Sequence, residues 1–422
     1  MGSATFFDAF DALSLAFVLP VLKDLCHLTP GEIGTLISAG YVGQFLGALA
    51  FGALAEKFGR VRSATLAIGV MSVMAVGCVF SGRFEMLLLC RFVQGIGVGG
   101  EVPVAAAYIN ELSPTHARGK FFMLYEMVFP IGLMVTGQLG AWLVPNLGWK
   151  AMFLAGGLPG IAITFLVALL PESPRWLIGK GRHDEAERIL EEIESSATGG
   201  NDTASMSSVA PPPVTPGARA GWTELFSETY RGRTWVVWSL WFCTYLVANG
   251  LNNWLPTLYR TVYQLDLTIA LRAAAMTNVL QVVTTFACAL LVDRFGRRRW
   301  ALACYAIAAV LFASVALAGT DSVVRVGILA TLAYGLLGST NVLLYLYTPE
   351  IYPTRVRAIG TGLATAWLRL GSSAGPLLVG SLVAFGGLSA VFWMFAGVCL
   401  VAFAVAQFMI ETRARRLEEI AP

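Results

Sequence analysis

Runs of predominantly apolar residues, each about 20 long, recur twelve times along this chain, and that length and character is what an α-helix needs to cross a bilayer. They fall near 4–22, 31–55, 63–81, 84–110, 119–144 and 150–170, then near 233–258, 268–292, 300–319, 324–348, 358–384 and 388–410. Backbone N–H and C=O groups find no water in hydrocarbon, so such spans are expected to be helices. The whole chain of 422 residues is 56% hydrophobic and only 13% charged, against about 25% charged in soluble domains, which excludes a soluble globular protein. No cleavable signal peptide is expected, because the first apolar run carries Asp8 and Asp11 and lacks a basic leader.

The twelve spans divide into two sets of six. GALAEKFGRVR at 52–62 is echoed by LLVDRFGRRRW at 290–300, each between two apolar runs. Glu111 in NELSPTHARGK matches Glu350 in TPEIYPTRVRAIG, and Glu172 in PESPRWL matches Glu411 in ETRARRL. Both pairs are 239 apart (350 − 111 and 411 − 172), while Arg60 and Arg297 differ by 237 (297 − 60). Anchors recurring at nearly one offset point to a duplicated unit. The expected fold is an all-α membrane protein of twelve transmembrane helices in two pseudo-symmetric six-helix bundles, 1–177 and 233–422. Between them, 178–232 forms a linker with a short helix over 183–194 and a Gly/Ser/Pro-rich remainder. Basic residues concentrate in one set of loops (Lys57, Arg60 and Arg62; Arg118 and Lys120; Arg294 and Arg297 to Arg299; Arg355 and Arg357), which puts these loops, both termini and the linker in the cytoplasm.

Polar side chains at lipid depth are costly and should face protein or water. In the fourth span Arg91, Gln94, Glu101 and Tyr108 share one helical stripe; in the tenth, Tyr334, Gly338, Asn341, Tyr345 and Thr348 do. Asp8 and Asp11 lie on one face of the first. The second carries Tyr41 and Gln44, the fifth Tyr125, Glu126 and Gln138, the seventh Tyr245, Asn249, Asn252, Asn253 and Trp254, the eighth Asn278 and Gln281, the eleventh Trp367, Arg369 and Ser372. Spans three, six, nine and twelve hold almost none, so they are expected to face lipid while the other eight line a central polar pathway. The seven cysteines, scattered through mostly apolar runs, read as small core hydrophobes, and three dispersed histidines make no metal site. There is no GxxxxGK[ST] phosphate cradle, and the glycines of GIGVGG at 95–100 sit inside an apolar helix, where they serve close packing.

These residues resemble the major facilitator superfamily over essentially the whole chain. GALAEKFGRVR is similar to its loop 2–3 signature, with Glu56 where Asp is usual; RFVQGIGVGGE at 91–101 resembles its fourth-helix signature, and PESPRWL at 171–177 the motif after helix six of sugar porters. The seventh span lacks the Gln-Gln pair and Asn-rich motif of sugar porters. Its ending NNWLPTLY, with DAFD in the first span, instead looks like the aromatic-acid and niacin-type symporters related to animal organic ion carriers, although Ala9 stands where Gly is common. Those carriers have Arg at an eleventh-helix position when they carry anions, and WLRLGSSAGP presents Arg369 there. The resemblance implies a secondary transporter, not an enzyme. It implies proton-coupled symport of a small organic anion, an aromatic or pyridine monocarboxylate, by alternating access; the short loop between the first two spans and the absence of a large extracellular domain point to a bacterial inner membrane. No cofactor, metal or nucleic acid is implied, and a monomer in the lipid bilayer is expected.

Each role has a plainer alternative. Arg369 offers a permanent bidentate fork to a carboxylate, or else forms a structural ion pair with Glu126 or Glu101. Asp8, Asp11, Arg91, Glu101 and Glu126 are candidates for proton coupling, against simple inter-helix pairing or, for Asp8, solvation at the cytoplasmic mouth. Arg91 and Glu101 are ten residues apart in one helix, a rise of about 15 Å, so each needs another partner. Tyr41, Trp254, Tyr334, Tyr345 and Trp367 can stack on an aromatic substrate or simply pack, while Gln44, Asn249, Asn252, Asn253, Gln281 and Asn341 supply hydrogen bonds. Glu56, Arg60, Glu111, Arg118, Glu172 and Arg175, with Asp293, Arg297, Glu350, Arg357 and Glu411, read as a cytoplasmic gate latch, or as a solvated basic collar, which leaves the recurring acids unexplained. A sugar porter, a drug exporter and a non-transporting receptor on the same fold are the competing functions.

Overall fold

The structure, a computed structural model, describes residues 2–112, 127–197, 222–319 and 321–413. Among the described residues there are fourteen α-helices, one 3-10 turn and no strand. The first half comprises α1 (Gly2–Cys26), α2 (Pro30–Phe58), α3 (Arg60–Val79), α4 (Phe84–Leu112), α5 (Val128–Leu147) and α6 (Trp149–Ala168). Two shorter helices follow, α7 (Pro174–Gly179) and α8 (His183–Ala197), and then the 3-10 turn Trp222–Phe226. The second half comprises α9 (Arg231–Thr261), α10 (Leu267–Phe295), α11 (Arg297–Leu317), α12 (Val323–Glu350), α13 (Thr354–Phe385) and α14 (Gly387–Ala406). Eleven of the twelve long helices combine spanning length with high mean hydropathy. The twelfth, α9, is long enough at 31 residues, but its asparagines and terminal arginines dilute its hydropathy.

Helix boundaries follow local chemistry. Thr29 caps α2 in a reciprocal box with Glu32, each satisfying a backbone N–H of the other. Gly59 (φ 109°) and Gly296 (φ 93°) turn the chain between α2 and α3 and between α10 and α11, at a left-handed φ that disfavours a side chain. Beyond each turn a carboxylate from the far end of the same half covers the new helix start. Glu172 Oε1 accepts from the N–H groups of Arg60 (2.8 Å) and Val61 (3.1 Å). Glu411 accepts from Arg297 (2.8 Å) and Arg298 (3.2 Å). Each anion sits at the positive end of a helix dipole, so the acids that recur 239 residues apart (411 − 172) do the same structural work in both halves.

Packing repeats as the sequence does. In the first half α2 lies along α4, α3 along α4 and α6, and α1 along α5; the second half pairs α10 with α12, α11 with α12 and α14, and α9 with α13. The halves meet through α2 and α13, α5 and α10, and α1 and α9. Close approach of α2 and α4 depends on glycine: a Cβ at Gly95 would collide with the Gly40 carbonyl, and one at Gly99 with the backbone of Gln44. Six cysteines are buried as expected, whereas Cys26 is exposed where α1 ends.

Contacts between the halves gather toward the end of the bundle that carries the turns after α1 and α9. Ser38 Oγ donates to the Ser373 carbonyl (2.7 Å), and Asn253 Nδ2 to Tyr41 Oη (3.1 Å). Farther out, Arg260 Nε lies 3.8 Å from Asp24 Oδ2.

Two expectations follow. Gly99→Val should lower the thermal unfolding midpoint of the detergent-purified protein, since overpacking a tight contact costs about 1–3 kcal/mol. Gly52→Ala, inside α2 where a Cβ meets nothing within 4 Å, should not lower it and should raise it slightly through the better helix propensity of alanine. Glu172→Gln and Glu411→Gln should each destabilise by about 1 kcal/mol. Because the two caps share no partner, their effects should add in the double variant, as denaturation of all four proteins would show.

Candidate functional site

A cavity lies where the halves face each other, with about 1140 Å³ of space not filled by protein atoms. Its lining side chains come from α1, α2, α4, α5, α9, α10, α12 and α13, and among the described residues that line it none belongs to α3, α6, α11 or α14. The polar-free character of every third span thus identified the helices that leave the pathway.

Eleven of the candidate binding and coupling residues converge on this cavity: Asp8, Tyr41, Gln44, Asn249, Asn252, Asn253, Gln281, Tyr334, Asn341, Tyr345 and Arg369. Most of the amides are already engaged. Asn249 Nδ2 donates to Ser372 Oγ (2.7 Å), Asn252 Nδ2 to Asn278 Oδ1 (3.3 Å) and Tyr334 Oη to Gln281 Oε1 (3.0 Å). This network fixes the wall in one arrangement. Among the described residues, three buried polar atoms on the wall have no hydrogen-bond partner: Asp8 Oδ1, Asn341 Oδ1 and Arg369 Nε. Arg369 is 8% exposed, and its Nη1 makes only a long bond to the Thr365 carbonyl (3.4 Å), within its own helix. A guanidinium this buried demands anionic or carbonyl oxygen, so the cavity holds a standing request for one.

The aromatic wall is supported from behind. Trp241 stacks on Tyr245 (5.6 Å between centroids) and meets Tyr345 edge-on (4.7 Å), while its Nε1 donates to Thr348 Oγ1 (3.0 Å). Tyr245 and Tyr345 in turn face the cavity together with Phe129. Two expected aromatic contacts are corrected. Trp254 does not line the cavity; it lies one residue past Asn253, roughly 100° around the helix, and donates Nε1 to the Pro376 carbonyl (3.1 Å). Trp367, two positions from Arg369, stacks on Trp238 (5.4 Å) outside it. Residues the sequence reading passed over include Thr5, Phe129 and Leu133. Phe129 and Leu133 are apolar in apolar spans, and a search for polar side chains at lipid depth does not register them.

The acids of α1 diverge. Asp8 faces the cavity, whereas Asp11 turns into the first half, where Arg91 Nη1 lies 3.2 Å from its Oδ1 and Gln94 Nε2 donates to the same oxygen. Arg91 Nη1 also donates to Gln94 Oε1 (2.9 Å), closing a buried triad between α1 and α4. Glu101, fully buried, accepts from Thr5 Oγ1 (3.2 Å). The two charges of the fourth-span stripe therefore find separate partners on α1.

Several of the expected latch residues make contacts within one half. Glu172 and Glu411 cap helices, as described. Arg297 bridges Asp293 (2.7 Å) and Glu350 (3.2 Å), and Arg357 Nε reaches the Tyr352 carbonyl (3.3 Å). The Glu56 carbonyl accepts from Trp176 Nε1 (2.9 Å), and Arg175 is exposed. Arg60 begins α3, and Glu111 lies near the end of α4. Arg118 and Glu126 lie outside the described residues.

Known proteins share this sequence and architecture. A family model described as sugar (and other) transporter matches residues 18–422. The niacin transporter NiaP of Acinetobacter baylyi is 32% identical, the alignment covering 100% of this chain and 94% of the relative. A gallate transporter of Pseudomonas putida is 31% identical over 97% and 90%. Among solved structures, a partially occluded inward-open form of the xylose transporter XylE from E. coli superposes with a TM-score of 0.75 at 19% identity, covering 98% of each chain, which shows the shared fold. On the strength of the family match over residues 18–422 and the twelve-helix architecture, the chain belongs to the sugar (and other) transporter family of the major facilitator superfamily, and is a multi-pass membrane transporter rather than an enzyme.

Proposed function

We propose that the protein carries a small aromatic or pyridine monocarboxylate into the cell together with a proton, by alternating access across a bacterial inner membrane, with both termini cytoplasmic. The observation that carries this reading is the buried, incompletely satisfied guanidinium of Arg369 in a cavity walled by tyrosines and amides. A carboxylate is its natural counterion, and flat rings suit the space between Tyr245, Tyr345 and Phe129. Names of relatives agree in chemistry: niacin, gallate and 4-hydroxybenzoate transporters all match over nine-tenths or more of this chain.

Coupling has a physical basis in the same cavity. Asp8 and Arg369 line one cavity, so an ionised Asp8 competes with a substrate carboxylate for the guanidinium. A proton on Asp8 removes that competition, and proton and anion then arrive as a neutral set that opposes helix movement least. Asp11 and Arg91 form a second proton-sensitive pair, whose separation would loosen α1 from α4. The latch residues, held within their own halves here, would meet across the cytoplasmic mouth in the opposite state.

An inward proton gradient imposed on proteoliposomes should drive accumulation of nicotinate or 4-hydroxybenzoate; no accumulation with either acid would overturn the coupling. Arg369→Ala should weaken binding of the acid at least 30-fold, because stripping one partner from a buried charge pair costs about 2–5 kcal/mol. Unchanged affinity by calorimetry would remove Arg369 from the site. Asp8→Asn should abolish gradient-driven accumulation while preserving exchange of labelled for unlabelled substrate. The amide-rich wall, which also suits sugar hydroxyls, makes hexose transport the second reading, and competition by glucose in the same assay would favour it.

A further inference from the structure

A second groove opens at the end of the first half that carries the Gly59 turn. It is walled by the end of α2, the start of α3, the end of α6, and α7 and α8, and holds about 810 Å³ of space free of protein atoms. Its basic side chains are Arg62, Arg182 and Arg188, and Trp176 forms part of its wall. The two acids on the wall are already committed. Glu172 receives the α3 amides, and Glu185 receives Nε and Nη2 of Arg182 at 2.7 and 2.5 Å. That hydrogen bond from Arg182, with the fields of Arg188 and Arg62 added, holds Glu185 below its ordinary carboxylate range although partial desolvation works the other way. Arg62 and Arg188 are left exposed, and neither enters an ion pair among the described residues.

Beside these uncompensated cations runs an apolar strip. Phe165 and Leu166 on α6, and Leu169 just past it, are 69%, 62% and 81% exposed, on a helix whose length and hydropathy suit it to cross a bilayer. Trp176 stands at the junction of strip and charges, with Lys180 5.9 Å and Arg182 6.0 Å from its ring, the amphipathic placement tryptophan takes at a membrane interface. Helix α8 packs Ala186 and Ile189 onto Leu177, which holds Arg188 near the groove.

We propose that this groove binds the phosphodiester headgroup of an anionic phospholipid, with Arg62 and Arg188 on the phosphate and an acyl chain along Phe165, Leu166 and Leu169. A soluble phosphate would gain the arginines alone, whereas a lipid gains the arginines and the apolar strip together. Occupancy would tie α8 to the start of α3 and so brace the corner that Glu172 caps.

The test uses the full chain in nanodiscs and in detergent. Replacing half of the phosphatidylcholine by phosphatidylglycerol should raise the thermal unfolding midpoint of the wild type, and native mass spectrometry should show phosphatidylglycerol retained in preference to phosphatidylcholine. Arg62→Glu/Arg188→Glu should lose both effects, and the milder Arg62→Gln/Arg188→Gln pair carries the same expectation if charge reversal impairs folding. Arg294→Glu/Arg299→Glu, which removes two exposed bases from the corresponding end of the second half, should keep both. Retained lipid preference in the groove variants, or its loss in the control, would overturn the proposal. So would an equal stabilisation of the detergent-solubilised protein by inorganic phosphate, which would assign the groove to a soluble anion.

Discussion

Charge taken to the depth of a bilayer has to be answered by opposite charge or by hydrogen bonds, and the arrangement of this protein follows from that requirement. Among the described residues, five charged side chains are buried within the spans: Asp8, Asp11, Arg91, Glu101 and Arg369. Three of them find partners inside the first half: Asp11 with Arg91 and Gln94, and Glu101 with Thr5. These contacts fix α1 against α4 and thereby one wall of the cavity. Asp8 and Arg369 instead line the cavity. They face each other's side of the space between the halves with polar atoms unmatched, and unmatched buried charge is where a ligand finds its free energy of binding.

The rest of the fold keeps that space in existence. Pairings among helices repeat between the halves, glycine at 95 and 99 lets α2 and α4 touch at the backbone, and carboxylates 172 and 411 secure the first turns of α3 and α11. Inter-half contacts cluster toward one end of the bundle, through Ser38, Tyr41 and Asp24. The two halves are thus rigid through internal packing and joined by few specific bonds, the condition under which one can rock against the other.

Much of this was legible in the sequence because the bilayer is an unforgiving solvent. Span lengths, the duplication and the assignment of spans three, six, nine and twelve to the periphery each follow from where polar residues are tolerated. Helical periodicity placed Arg369, Asn249 and Tyr334 on inward faces, but it could not tell Asn253 from Trp254, about 100° apart on a wide inward face; Trp367, about 200° around the helix from Arg369, is set on the opposite side by that same periodicity. Nor could it separate Asp8 from Asp11: three residues apart, they share a face of α1 yet meet different neighbours, one a cavity and the other Arg91. Phe129 lay beyond reach because an apolar side chain lining a cavity looks like any other in lipid. The acids at helix ends were readable as a recurring set, while their partners, backbone amides in the same half, depended on turns at Gly59 and Gly296 that bring the chain ends together.

The central claim is that a proton and an anion occupy the Asp8 and Arg369 cavity together. Calorimetric titration of the purified protein with 4-hydroxybenzoate, or with nicotinate, in buffers of different ionisation enthalpy reports directly how many protons binding takes up. The account predicts uptake of about one proton per anion bound near neutral pH by the wild type and none by Asp8→Asn. Tight binding of the anion with no proton uptake by the wild type would contradict it.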